Sequence, residues 1–377
     1  MHPLIAAALL AVVQDSGAFV VRLGTDTLSL EMYQRSATQV RGDYLIRAPR
    51  STHRIYTADL NPDGSFQRLE LMIHNISGGP GPAEIKQTIE LRDDSALITM
   101  PRGDSTVTTR VPVPKGTVFW QTHVYGLFEH IGRQARGRDS VAITGIAFGA
   151  TAHSGGVVRK KGGDTLQLAW TQGPMAGLGP FTFRLDARGR LVWLSGKGST
   201  VQVEVERLPS VDLTAAGPSF AERPLGQLSV RDTARATLGG ADLWVDYGRP
   251  MKRGREIFGN VVPWNTVWRT GANQATHFLT PVDLVIGGAP VPAGRYTLWT
   301  LPTPTGWKLI INKQTGQWGT AYDAAQDLVR VDAKVETLAA PVEQFVIAFE
   351  PAGAPTAVTF TWDRTRVSVP VMPGKKA

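Results

Sequence analysis

The sequence predicts an all-β protein of two modules: an N-terminal curved antiparallel sheet or partial barrel with one helix, then a C-terminal β-sandwich-like domain. Three observations carry this. Apolar and polar residues alternate over short runs, as in Phe19, Val21 and Leu23 followed by Leu28, Leu30 and Met32. Turn formers are abundant, with 40 Gly and 25 Pro, which suits many short strands rather than a long helical bundle. The alternation lapses at 208–226, and a chain of 377 residues is long enough for two cores.

At the amino terminus Pro3 to Val13 reads PLIAAALLAVV, an unbroken apolar run that ends at Gln14, Asp15 and Ser16. It has the length of a secretory h-region and is too short to span a bilayer. No Lys or Arg precedes it, and no clean A-x-A cleavage site precedes Gln14. Residues 1–16 are therefore expected to be a signal segment, and the protein to be periplasmic or otherwise extracytoplasmic, peripheral to a membrane.

Residues 17–207 are expected as the first β-rich module. Phe19–Leu23 and Leu28–Met32 flank the turn Gly24-Thr25-Asp26, and Arg54–Leu60 and Leu69–Ile73 flank Asn61-Pro62-Asp63-Gly64. The theme continues through Leu166, Leu168 and Trp170, then Phe181, Phe183 and Leu185, then Leu191 and Trp193, and closes on Val201, Val203 and Val205. Thr117 to Ala135 breaks it: Trp120, Val124, Leu127, Phe128 and Ile131 recur at helical spacing, which predicts a helix packed on or across the sheet. A sheet so curved either holds an apolar ligand or is filled by its own side chains.

Residues 208–226 gather Pro, Gly, Ser and Ala and are expected as a linker. Residues 227–372 follow as the sandwich, with turns at Gly287-Gly288, Pro292-Ala293-Gly294 and Pro302 to Gly306, and a turn or two of helix within Thr320 to Asp327.

Composition narrows the chemistry. Zero cysteines exclude disulfides, zinc thiolates, iron–sulfur clusters, thiol nucleophiles and a lipoprotein anchor. The net charge of +8 is dispersed over short clusters, so no nucleic-acid partner is expected. There is no G-x-S-x-G, P-loop, H-E-x-x-H or strand-borne G-x-G-x-x-G. His123 and His130, seven apart beside Tyr125 and Glu129, would share a helix face but lack a third ligand, so a structural role is expected. Tyr322, Asp323 and Asp327 are too few for a calcium loop, and the prolines of Gly78-Gly79-Pro80-Gly81-Pro82 remove the donors of a phosphate cradle. No metal and no cofactor is expected.

The most distinctive stretch is LWVDYGRPMKRGREIFGNVVPWNTVWRTGAN, from Leu243 to Asn273. It is followed in order by Ile286-Gly287-Gly288, VPAGRYTLWTLP, GWKLIINKQTGQWGTAYD, DLVRVDAK, PVEQFVIAFE and WDRTRVSVPV. This series resembles the bacterial domain of unknown function 2911 family over about residues 241–370. The resemblance implies a compact all-β module in an extracytoplasmic setting, and no reaction. Gln274 and His277 stand where the family usually has a glutamate and a threonine, so a base or ligand role for that acid is lost here.

Within this stretch Asp246, Arg249, Arg255, Arg269 and Asn273 fall in or near turns and, with His277, form a candidate ligand- or partner-binding set. Arg249 and Arg269 would hold an anionic or hydroxyl-rich ligand, with Asn273 reading its orientation. In the alternative, these groups pair with one another and lock the loop from Tyr247 to Gly271 in place. Trp244, Trp264, Trp268, Trp299, Trp307, Trp318 and Trp362 all lie in the second module, where exposed rings would suit a sugar or a protein interface and buried ones the core. No catalytic residue is assigned. The expected function is a non-enzymatic accessory or interaction subunit, its partner a protein of a periplasmic or membrane-bound complex. The alternatives are a binding protein for a lipid in the first module or a glycan on the second, and a hydrolase using Asp246, His277 or His123.

Overall fold

The computed structural model describes residues 13–78, 82, 84–351 and 356–374. Nearly all of the apolar run at Pro3 to Val13, and the centre of the Gly78 to Pro82 loop, lie outside the described residues. The chain divides into two units, Met1–Gly226 and Gln227–Ala377.

The first unit contains β1 (Asp15–Leu23), β2 (Asp26–Arg35), β3 (Gln39–Ile46), β4 (Thr52–Leu60), β5 (Phe66–Asn75), β6 (Glu84–Arg92), β7 (Ser95–Arg102), β8 (Ser105–Pro112), β9 (Val118–Phe119) and α1 (Tyr125–Ala135). It continues through β10 (Ser140–Ile146), β11 (Ser154–Gly162), β12 (Thr165–Trp170), β13 (Phe181–Leu185), β14 (Leu191–Ser195), β15 (Glu204–Leu208) and α2 (Leu213–Glu222). The strands form a single sheet ordered β8-β7-β6-β5-β4-β3-β2-β1-β15-β14-β13-β12-β11-β10-β9. Its first and last strands meet mid-sheet, in register from Ala18↔Leu208 to Arg22↔Glu204.

On β1 the stripe of Phe19 and Val21 faces inward, but on β2 the apolar stripe expected from the sequence, Leu28, Leu30 and Met32, lies on the outer face, and Ser29, Glu31 and Tyr33 form the buried inner one. Phe19, Val21 and Tyr33 are buried towards α1, which touches β2, β3, β9, β10 and β14, so the sheet curls around the helix. Phe66 of β5 meets Phe119 of β9 with ring centroids 4.7 Å apart. Phe128 of α1 packs edge-on against Phe183 at 5.0 Å. This is the curved sheet with one inner helix, and α1 with its aromatic neighbours occupies the concavity.

Two local expectations change. The helix begins at Tyr125 rather than Thr117, because Val118 and Phe119 pair in parallel with Gly145 and Ile146 and His123 has a left-handed φ of 70°. His123 therefore precedes α1 and shares no helix face with His130. The predicted linker instead folds as α2, capped by Asp212, whose side chain accepts from the Ala215 N–H at 2.9 Å.

The second unit contains β16 (Ser229–Leu238), β17 (Ala241–Pro250), β18 (Thr276–Thr280), β19 (Leu284–Ile286), β20 (Ala289–Val291), β21 (Gly294–Thr303), β22 (Gly306–Asn312), β23 (Asp327–Glu350) and β24 (Ala357–Pro373), with a 3₁₀ turn at Ala324–Gln326. The sheet order is β16-β17-β18-β21-β22-β23-β24-β19-β20. The long strand β23 lets the sheet fold over on itself: Met251 bridges to Gln344, and the Tyr247 hydroxyl accepts from the Ile347 N–H at 3.0 Å. The enclosed core includes Val245, Tyr247, Phe278, Leu309, Phe345 and Trp362, the two-layer packing of a sandwich.

Candidate functional site

Buried charge in the first unit is bound up in the fold. Glu31, on β2, accepts the Tyr125 and Gly126 N–H groups at 2.6 and 2.9 Å and the Tyr56 hydroxyl at 2.7 Å. It thus caps α1 from a neighbouring strand, where the helix's own cap, Val124, offers no side-chain acceptor. Burial nevertheless pushes its carboxyl up to about 7. Glu129, 1 % exposed, accepts the Tyr33 hydroxyl at 2.7 Å, the Leu191 N–H at 2.9 Å and an Arg207 nitrogen at 2.6 Å. His130 lies against Phe66, with Arg35 3.4 Å from Nδ1 and Gln134 3.1 Å from Nε2; burial, then Arg35 and Arg133, lower it to about 4. The two buried carboxylates are thus filled by the fold, whereas Arg35 beside His130 keeps one buried nitrogen without a partner, and His130 is a structural histidine.

On the outer face of the same sheet, α2 crosses β2, β3 and β4 and leaves a groove of 630 Å³. Met32, Leu45, Ile76, Val211 and Leu213 give it apolar walls. Its charged lining groups are Asp43, which faces His53 at 2.8 Å, and Asp212. The helix above is tied down at one end. Phe220 is buried beneath Arg47, the Ser51 hydroxyl donates to the Phe220 carbonyl at 2.5 Å, and Arg47 Nε donates to the Arg223 carbonyl at 2.6 Å. Pro218 removes a hydrogen bond from within the helix, so the Leu213 end is the weaker half. No sequence pattern signals this groove, because its roof lies in residues 208–226, where the alternation lapses.

In the second unit most of the six candidates are engaged internally. Asp246 holds Arg231 bidentately at 2.9 and 2.8 Å. His277, beside Asp246 in the strand register, accepts the Gly316 N–H at Nε2 (2.9 Å), and burial and Arg231 lower its pKa. Arg249 pairs with Asp232 at 2.7 Å and donates to the Phe345 carbonyl at 3.2 Å. Arg255 donates to the Lys252 and Met251 carbonyls at 3.0 and 2.5 Å, and burial lowers it to about 10. Arg269 and Asn273 stand apart: Arg269 makes one hydrogen bond, from Nε to the Gly271 carbonyl at 3.3 Å, and Asn273 is exposed with a φ of 64°. Both meet Gly319, whose N–H donates to the Asn273 carbonyl at 3.0 Å and whose missing Cβ leaves room for Arg269 Cδ.

The tryptophans divide similarly. Trp299, Trp307 and Trp362 are core, whereas Trp318 is 50 % exposed. The acidic groups near Tyr322 are spoken for: Asp323 caps the 3₁₀ turn through the Ala325 N–H at 2.9 Å, and Asp327 holds Arg330, Tyr322 and Asn312.

Residues 229–371 match the family model described as protein of unknown function (DUF2911). No match was found among curated proteins. Two solved structures show similarity: a β-barrel-like protein of domain of unknown function DUF1849 from Brucella abortus, at 14% identity over 53% of this chain and 100% of that one, with a TM-score of 0.34; and a DUF1089 family protein from Pseudomonas aeruginosa, at 10% identity over 44% and 89%, with a TM-score of 0.32.

Proposed function

We propose that the protein is a non-enzymatic extracytoplasmic accessory protein that binds, in its first module, an apolar chain bearing a cationic head. The groove beneath α2 carries this reading. Its 630 Å³ falls within the ~300–1,000 Å³ of small-ligand sites, and an apolar wall with a few polar groups at one side is their usual lining. Asp43 and Asp212, each with one carboxylate oxygen left over after its bond to His53 or to the Ala215 N–H, set the sign of the head group, because the lining contains no Lys or Arg among the described residues. The single-ended anchoring of α2 provides entry, since its Leu213 end can lift without disturbing Phe220. A binding role also fits the buried carboxylates, Glu31 and Glu129, each committed to holding α1 in place. The compartment rests on the apolar run from Pro3 to Val13, and a membrane-associated partner would then receive or present the ligand.

The test is calorimetric titration of the full chain with dodecyltrimethylammonium and with dodecyl sulfate, both below micelle formation. The expected result is saturable one-to-one binding of the cationic chain, at least about tenfold tighter than the anionic one, a difference of about 1.4 kcal/mol. Met32→Lys should remove that preference, and Asp43→Asn should narrow it. Failure of both chains to saturate a folded protein overturns the reading. Recovery of the protein only from the cytosolic fraction overturns the compartment.

A further inference from the structure

We infer that Arg269 and Asn273 of the second module form a binding site for an oxyanion, a carboxylate or phosphate group on a ligand whose ring lies against Trp318. The inference is independent of the groove in the first module. It begins from the way Arg269 is held. The preceding Trp268 stacks on Trp362 at 6.0 Å, and its backbone exchanges hydrogen bonds with Thr300 at 2.8 and 2.9 Å. Thr270 follows with a φ of 51°, its hydroxyl donating to that of Thr300 at 3.2 Å. The backbone on both sides of Arg269 is fixed by the core, and the left-handed turn is a strained conformation for a β-branched residue.

The side chain then crosses Gly319, where an added Cβ would lie 2.6 Å from Arg269 Cδ and 2.5 Å from the Asn273 carbonyl oxygen. The glycine is needed for this path. The guanidinium that emerges lacks a counter-charge: burial is the one influence on its pKa, which falls to about 10. Its terminal nitrogens make no hydrogen bond and are not sealed from solvent. Arg231, Arg249, Arg330 and Arg366 of the same module each have a carboxylate partner, and Arg255, which has none among the described residues, fills its nitrogens with the Lys252 and Met251 carbonyls instead. An arginine cannot shed its proton near neutral pH, and a partly desolvated cation without a counter-charge among the described residues is costly, so this one is prepared for an anion. Its planar pair of N–H groups matches two oxygens of a carboxylate or phosphate.

Asn273 completes the donor set, because its carbonyl is fixed by the Gly319 N–H at 3.0 Å while its side-chain amide remains free. Trp318, adjacent to Gly319 in the chain and bridged to Gln274, presents an exposed ring on the same segment that Arg269 crosses. Arg269, Asn273 and Trp318 are all candidates in the sequence; the structure adds Gly319 and singles out Trp318 as the tryptophan left 50 % exposed.

Calorimetric titration with inorganic phosphate, D-glucuronate and, as the uncharged control, D-glucose tests the site. Saturable binding of at least one anion is expected, with none of glucose and with affinity falling as salt rises. Glucuronate above phosphate assigns a carboxylated sugar; the reverse order assigns a phosphate-bearing ligand. Arg269→Gln should weaken binding at least about tenfold, and Trp318→Ala should weaken glucuronate more than phosphate. Should Arg269→Gln fail to fold, Asn273→Ala at an exposed position carries the test with a severalfold loss. Wild-type affinity in the folded variants, or no saturation up to ~10 mM of either anion, overturns the inference.

Discussion

Two partly or wholly buried charges, Glu129 in the first module and Arg269 in the second, are held in opposite ways. In the first, Glu129 has three donors within 2.9 Å, among them Arg207, and Glu31 has three of its own. In the second, Arg269 has one weak carbonyl contact at 3.3 Å. A charge whose hydrogen-bonding capacity is filled by the fold has nothing left to offer a ligand, whereas an unfilled one is held ready at a cost in stability. The contrast sorts structural from functional residues where residue type alone does not.

Removing Arg207 should break that contrast most visibly. Arg207 bonds Glu129 at 2.6 Å, the Tyr33 hydroxyl at 3.1 Å and the Ser16 carbonyl at 2.7 Å, so it ties β15, α1, β2 and β1 together. Arg207→Ala leaves Glu129 sealed with only Arg133, at 3.7 Å, as counter-charge, and should cost about 3–5 kcal/mol in the first module's urea transition. Changing Arg207 and Glu129 together to Met should recover part of this, because no lone charge remains. A loss under 1 kcal/mol for Arg207→Ala would remove the case for a carboxylate filled by the fold.

The next effect is a pH dependence. His130 is held at about 4, against 6.5 when free, so between those values the unfolded chain binds more protons and stability rises with pH. Its contribution is complete above pH 6.5 and lost as pH falls through 4. Glu31, raised from 4.5 to about 7, acts in the opposite sense, its protonated form favouring the fold, so stability falls as pH rises through that window. Each shift corresponds to about 3 kcal/mol, and the two oppose each other between pH 4.5 and 6.5. His130→Gln isolates one of them: the stability gap between wild type and variant should widen by about 3 kcal/mol from pH 4 to 6.5. A gap independent of pH would show that His130 titrates freely.

Much of the fold was legible because the period-two stripes of β4 and β5 have one buried face; β2 misleads, because its polar stripe of Ser29, Glu31 and Tyr33 is buried around α1 while Met32 of the apolar stripe is exposed. β8 was not legible, since seven of its eight residues are exposed and no apolar stripe exists to be read. α2 escaped for the same reason, with Phe220 its one buried side chain. The start of α1 was misplaced because Val118 and Phe119 continue a helical period by chance while pairing with β10, a contact remote in sequence. At the candidate site, the sequence offers Asp246, Arg249 and Arg269 as equals. Their difference lies in Arg231 and Asp232, which β16 brings beside the first two and not beside Arg269.

The smallest expected changes in stability belong to the two proposed binding sites, and they sharpen the comparison from the other side. Arg269→Gln removes a partly desolvated cation that has one weak partner, so stability should move by less than about 1 kcal/mol or rise. Met32→Lys acts at a side chain 38 % exposed and should stay within about 0.5 kcal/mol of wild type. Against Arg207→Ala, these values make a scale on which binding residues are those whose loss leaves the urea midpoint almost unchanged. A midpoint for Arg269→Gln as low as that for Arg207→Ala would show that the guanidinium supports the loop from Val267 to Asn273, and the division between filled and unfilled charge would fail there.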